Sequence, residues 1–153
     1  MYDSNTSIKI KLLSIGIVRN KFDVRPQNPS AIRKEPSKIV VFPKYADGLY
    51  RINEHKYLDI IFYFHKSKGY SLRCKTPDWG IRGVFASRSP YRPAPLGLMK
   101  VKLISVKKNE LTVKGLDALN GTPVVDIKPY VARWKSKKER YCYGKEKGSQ
   151  RRD

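Results

Sequence analysis

The chain has 153 residues, enough for one domain with a buried core and too few for two. Its 33 Lys and Arg against 13 Asp and Glu leave a formal charge of +20, an excess that strains the compact state by self-repulsion and is commonly offset by a polyanionic partner. Nucleic acid is the first expectation and a membrane surface the lesser one, since no basic amphipathic helix stands out and no stretch approaches the roughly twenty apolar residues of a membrane span. Met1 to Ser7 is polar, with no signal-peptide pattern, and Cys74 and Cys142 stand far apart in no Cys-x-x-Cys arrangement. The sequence therefore predicts a soluble cytoplasmic protein with two free thiols, no disulfide and no metal site.

Residues 8–18 read as the first strand, with Ile8, Ile10 and Leu12 alternating with lysines before the phase slips to Leu13, Ile15 and Ile17, as a bulge near Leu12 would produce. Residues 19–29 form a loop in which Arg25, Pro26, Gln27, Asn28 and Pro29 offer polar groups on a proline-stiffened backbone. Residues 38–42 are a β-branched strand stopped by Pro43, and residues 45–52 are one or two helical turns. Residues 58–64, with Asp59 the one charge, read as a central strand buried on both faces, and His65 at its end reads as structural or solvated, like His55. Residues 71–75 are a further strand, closed by Thr76, Pro77 and Asp78.

Residues 83–97 begin as an apolar strand pattern and become a loop with three prolines and two arginines. Pro90, Pro93 and Pro95 restrict φ and make the loop stiff, and Arg88 and Arg92 held on it could grip an anion bidentately or merely be solvated. Residues 98–103 and 111–114 alternate around a turn at 107–110, a hairpin with basic side chains on its wet face. Asn120-Gly121 marks a tight turn, and residues 124–128 form a strand that ends at Pro129. Six or seven short strands with few short helices predict a mostly β protein, a small antiparallel barrel over residues 1–131. Residues 132–153 are a basic tail, in which nine Lys and Arg mix with Trp134, Tyr141 and Tyr143, a composition suited to phosphate contact and base stacking or simply to solubility.

The absent motifs narrow the chemistry. No glycine-rich dinucleotide or phosphate loop, no βαβ alternation, no serine elbow and no His-Glu-x-x-His helix is present. Two stretches in order carry a more specific signal: Gly83-Val84-Phe85-Ala86-Ser87-Arg88-Ser89 with Arg92-Pro93-x-Pro95-Leu96-Gly97, then Leu116-Asp117-x-Leu119-x-Gly121-Thr122-Pro123-Val124-Val125-Asp126-Ile127-Lys128-Pro129-Tyr130. Together with Ile15 to Arg19 and the strand from Leu58 to His65, they make the chain resemble the TrmO/TsaA-like tRNA methyltransferase family over residues 8–131.

That resemblance implies an S-adenosylmethionine-dependent enzyme on a small β-barrel, a homodimer that methylates the exocyclic nitrogen of threonylcarbamoyl-modified adenosine beside the anticodon of tRNA. It implies a cofactor pocket involving Pro26, Gln27, Asn28, Tyr57, Leu58, Arg88, Leu98, Asp117, Ala118, Leu119 and Asn120. Near the chemistry the candidates are Asp126 or Asp117 as proton acceptor, Arg92 and Lys128, with Tyr91 placed to stack on a base or to cover the pocket; Asp126 and Lys128, on one strand face, could equally form a plain ion pair. The chain departs from the family pattern at Tyr57 and Tyr91, where His is usual, at Ala94 for Asn, and at Asn120 for Asp. These departures motivate two alternatives, a non-catalytic RNA-binding barrel of the same descent and a methyltransferase with another acceptor.

Overall fold

The computed structural model describes residues 7–131, so the basic tail lies outside the described residues. Eight strands are present among them: β1 Gly16–Arg19, β2 Pro36–Val41, β3 Tyr57–Tyr63, β4 Arg73–Thr76, β5 Gly80–Gly83, β6 Leu96–Lys107, β7 Glu110–Lys114 and β8 Pro123–Pro129. Six of them close into an antiparallel barrel in the order β1-β2-β7-β6-β3-β8, and β4 with β5 forms a separate two-stranded sheet. Closure leaves no free barrel edge at these pairings, which is how a small sheet of polar surface avoids templating other chains.

β3, an apolar run in the sequence, alternates in burial. Leu58, Ile60 and Phe62 are inside with Val18, Ile39, Val101, Leu111, Val113 and Val124, and each such side chain contributes about 1.5–3 kcal/mol on burial. The opposite face of β3, with Asp59 and Ile61, is only half-buried, so the expectation of burial on both faces is corrected: a barrel covers one face and leaves the other to solvent. Bulges interrupt β3–β8 between Ile61 and Phe62 and β6–β7 between Leu103 and Ser105, supplying the bend a closed barrel needs. The β6–β7 hairpin turns at Lys108, whose φ of 54° is left-handed.

Other sequence expectations shift in register or kind. Residues 8–15 form no strand, and Ile8, Ile10, Leu12 and Leu13 are exposed. Pairing begins at Gly16 because its neighbour β2 ends there: Gly16 lies opposite Val41, the Phe42 amide donates to Ile15, and Pro43 starts a 3-10 helix that carries the chain away. That helix, Pro43–Leu49, and a second at Ile52–Glu54 are the expected helical turns. Val84–Ala86 is a 3-10 turn rather than the start of a strand, with Val84 buried as its anchor. Residues 30–34, directly after the residues that read as a loop, form the one-turn helix α1 Ser30–Lys34, which inserts Ile32 into the interior.

Candidate active site

A cavity of about 840 Å³ lies at the end of the barrel where β3 finishes and β6 begins. The antiparallel register Tyr63 opposite Leu96 brings residues 64–67 beside the proline-rich loop, and the Thr122 end of β8 adds the loop at 117–119. α1 contributes Ile32 and Arg33 from a third direction. Four segments distant in sequence thus meet around one concavity.

Its floor is apolar and aromatic: Ile32, Phe62, Phe64, Leu96, Leu98, Met99, Ala118 and Leu119. Phe62 and Phe64 pack edge to face, centroids 5.2 Å apart at 77°. Gly97 makes this floor possible, because a Cβ there would lie 2.4 Å from two atoms of the Phe62 ring. The rim is basic. Arg25, Arg33, Lys66, Arg88 and Arg92 face a single carboxylate, Asp117, which pairs with Arg25 at 3.6 Å and is only 19% exposed.

The two arginines of the stiff loop are anchored by the backbone as well as facing the cavity. Arg92 donates to the carbonyls of Val84, Ser87 and Ser89 at 3.3–3.4 Å, cross-linking the loop to the 3-10 turn before it, and Arg88 donates to the Leu98 carbonyl. Such side chains are held ready for a ligand with little further loss of entropy. Lys66 in turn donates to the Asp23 carbonyl, tying the end of β3 to the residue 20–29 loop.

Of the residues expected at the site, Arg88, Tyr91, Arg92, Leu98, Asp117, Ala118 and Leu119 line the cavity together. Pro26, Gln27 and Asn28 do not line it, although their neighbour Arg25 does; the Asn28 carboxamide accepts from the Ser30 amide and hydroxyl and fixes the start of α1. Asn120 also stays outside, with its amide on the Asp23 carboxylate at 2.9 Å and its oxygen on the Asn20 amide, while Asn20 reaches Ser37 and the Ala118 carbonyl. It positions the 117–119 loop. Leu58 is fully buried in the core, and Tyr57 holds Lys100, whose Nζ lies 4.5 Å from its ring and 3.9 Å from that of Tyr130. Asp126 and Lys128 form an ion pair at 2.7 Å on β8 and are not among the cavity residues.

Arg33 and Lys66 do not stand out in the sequence, and His65 reads there as structural or solvated. It lines the cavity beside Lys66, and burial first, then the lysine charge, hold its imidazole below the ordinary pKa of 6.5. A neutral ring with one lone pair can accept a proton or a hydrogen bond there. The available signal was its place directly after a strand of the barrel, where chains commonly present functional groups.

Comparison with known proteins shows the family to which the chain belongs. Residues 17–136 match the family model described as the tRNA-methyltransferase O N-terminal domain. The chain is similar to an S-adenosyl-L-methionine-binding protein of Archaeoglobus fulgidus, 39% identical over 122 residues, which covers 78% of this chain and 88% of that one. It is also similar to the human tRNA (adenine(37)-N6)-methyltransferase, 35% identical over 100 residues, or 63% of this chain and 23% of the human protein. The crystal structure of TrmO from Pseudomonas aeruginosa superposes with a TM-score of 0.65 at 27% identity, over 81% of this chain and 57% of that one.

Proposed function

We propose a methyl transfer from one premise: the chain belongs to the family of the tRNA-methyltransferase O N-terminal domain. It binds S-adenosylmethionine in the cavity at the β3–β6 end of the barrel and methylates tRNA. The observation that carries this reading is the lining itself, an aromatic and aliphatic floor under a basic rim with one carboxylate. Leu98, Leu119 and Phe64 would hold an adenine, Arg88 would pair with the amino-acid carboxylate, and Asp117 with the neighbouring rings suits a sulfonium cation. When bound, the cofactor supplies an electrophilic methyl group.

The chain's own residues supply position and proton transfer. Alignment of donor and acceptor about 3 Å apart provides most of the acceleration in such a displacement, and a floor fixed by Phe62 against Gly97 with a loop clamped by Arg92 is stiff enough to impose it. The acceptor nitrogen must lose a proton as it gains its substituent. Asp117 is the better placed of the two carboxylates to receive it, since it lines the cavity and Asp126 does not. Tyr91, half-exposed at the mouth, stacks on the entering base. In the finer reading the acceptor is threonylcarbamoyl-modified adenosine beside the anticodon, and the enzyme works as a cytoplasmic homodimer.

Incubation of the purified protein with tRNA and methyl-labelled S-adenosylmethionine, followed by nucleoside mass spectrometry, tests the activity. Label in a modified adenosine is expected. Cofactor binding without label in any nucleoside would instead leave a non-catalytic RNA-binding barrel or a different acceptor.

A further inference from the structure

The hairpin β4–β5 pairs with no barrel strand, and all four residues of β5 are exposed. It is nevertheless loaded with large apolar side chains. Trp79 at its tip is 65% exposed and Ile81 71%, with Tyr70 and Leu72 exposed before it and Phe85, in the 3-10 turn that follows, 79% exposed. The tip is a built turn: the Trp79 amide donates to the Thr76 hydroxyl at 3.2 Å, that hydroxyl donates to the Gly80 carbonyl at 3.0 Å, and Gly80 takes a φ of 67°. The turn is thus fixed through its backbone, and it leaves the indole exposed.

Charge identifies what such a surface receives. From residue 66 to residue 92 there are seven Lys and Arg and one acid, Asp78. A second copy of this chain docking here would bring like charges together, whereas a polyanion gains from each, and exposed rings offer stacking faces to unpaired bases. Register places Lys75 opposite Ile81 and Cys74 opposite Arg82, while Cys74 Sγ lies 3.3 Å from Ser87 Oγ. The Cys74–Arg82 face therefore turns toward the loop that lines the cavity, and the Arg73, Lys75 and Ile81 face turns away from it. Four and five residues after β5, Ser87 and Arg88 are already cavity lining.

We infer that the β4–β5 hairpin is an RNA-docking arm, in which Trp79 stacks on an unpaired nucleotide flanking the one in the cavity, Arg82 contacts the RNA backbone on the face toward the cavity loop, and Arg73 and Lys75 contact it on the other face. The inference rests on the reading that the substrate is tRNA. A two-stranded hairpin is only marginally stable alone, so ordering by RNA gives it a defined path from the phosphate backbone to the cavity mouth. Stacking and phosphate contact divide the work: the indole contributes affinity with little sequence preference, and the cations contribute a salt-dependent term.

The test compares the full chain with Trp79→Ala and Lys75→Glu/Arg82→Glu by fluorescence anisotropy of labelled tRNA across a salt series, with calorimetry of S-adenosylmethionine as the site control. Trp79→Ala is expected to weaken tRNA binding by roughly five- to tenfold or more, and the charge reversals to flatten the salt dependence, with cofactor binding unchanged in both. The charge reversals are exposed and keep the test decisive should Trp79→Ala fail to fold. Unchanged tRNA affinity and salt slope would overturn the inference, as would variants that dissociate a dimer without altering tRNA affinity. Wild-type protein that binds the cofactor but no tRNA at low salt would overturn the substrate reading on which the inference stands.

Discussion

Gly97→Ala tests the cavity floor most sharply. The added Cβ would lie 2.4 Å from Cε2 and Cζ of Phe62 and 3.0 Å from Cδ2, all closer than non-bonded carbons tolerate. Phe62 is 1% exposed and its ring packs edge to face on Phe64, so the space open to it is the cavity it floors, and a swing that way breaks the Phe64 contact and fills the site. Relief must come from an off-rotamer ring or a shift of β6, and overpacking of this kind costs about 1–3 kcal/mol. In a chain of this length the loss lowers Tm by about 3–10 °C. Because the displaced ring is cavity floor, cofactor affinity should fall as well, by about tenfold for 1.4 kcal/mol of misfit. Phe62→Leu removes the clashing atoms, so the double variant should be less destabilised than the two single changes together, measured by urea denaturation of all four proteins. A neutral Gly97→Ala, or strict additivity with Phe62→Leu, would refute the argument.

Arg92→Lys keeps the charge but cannot span the Val84, Ser87 and Ser89 carbonyls at once; a loss of about 1–3 kcal/mol is expected in denaturation, with faster proteolysis of the loop. Asp117→Asn should reduce the methyl-transfer rate more than Arg25→Ala does, because the latter removes only the carboxylate's exposed partner; equal losses would argue that the pair is structural. His65, with its folded pKa depressed, is neutral in the native state while the unfolded chain takes up a proton near pH 6.5. Its contribution to stability is therefore present above that pH and lost as the pH falls through and below it. NMR titration of the imidazole checks this, and Lys66→Gln should raise its pKa by removing the smaller of the two causes while leaving burial in place.

Much of the barrel was legible because its strands carry one apolar face. Alternation located β6 and β7, and short apolar or β-branched runs located β2, β3 and β8, all to within a few residues, with Pro43 and Pro129 close to the true strand ends. The same signal misled at residues 8–15, where alternating isoleucines record a propensity for extended structure but β2 ends before it can offer them a partner. β5 was hidden for the opposite reason. Between Gly80 and Gly83 only Ile81 and Arg82 have side chains, and no two-residue pattern announces a strand. α1 had a readable sign in Asn28-Pro29-Ser30, a helix-start pattern ahead of Ala31 and Ile32.

For the site, legibility followed sequence locality. Arg88, Tyr91, Arg92, Leu98 and Asp117 to Leu119 belong to two motif-bearing segments, and both reach the cavity. Arg25, Arg33, His65 and Lys66 come from elsewhere and are delivered by the β3–β6 register and by α1, long-range closures that no local pattern encodes. Asp126 and Lys128 share a motif with Thr122 but stand four and six residues further along β8, about 13 Å or more at the usual strand rise. Proximity in a motif is not proximity in a pleated strand.

The central claim is that S-adenosylmethionine occupies the cavity between the proline-rich loop and the 117–119 loop. Titration calorimetry of the cofactor into the wild-type chain, Arg88→Ala and the surface control Lys107→Ala tests it directly. Saturable binding with one site per chain, weakened by Arg88→Ala and untouched by Lys107→Ala, is the predicted result. Equal affinities for all three proteins, or no binding to the wild type at millimolar cofactor with tRNA present, would contradict the account.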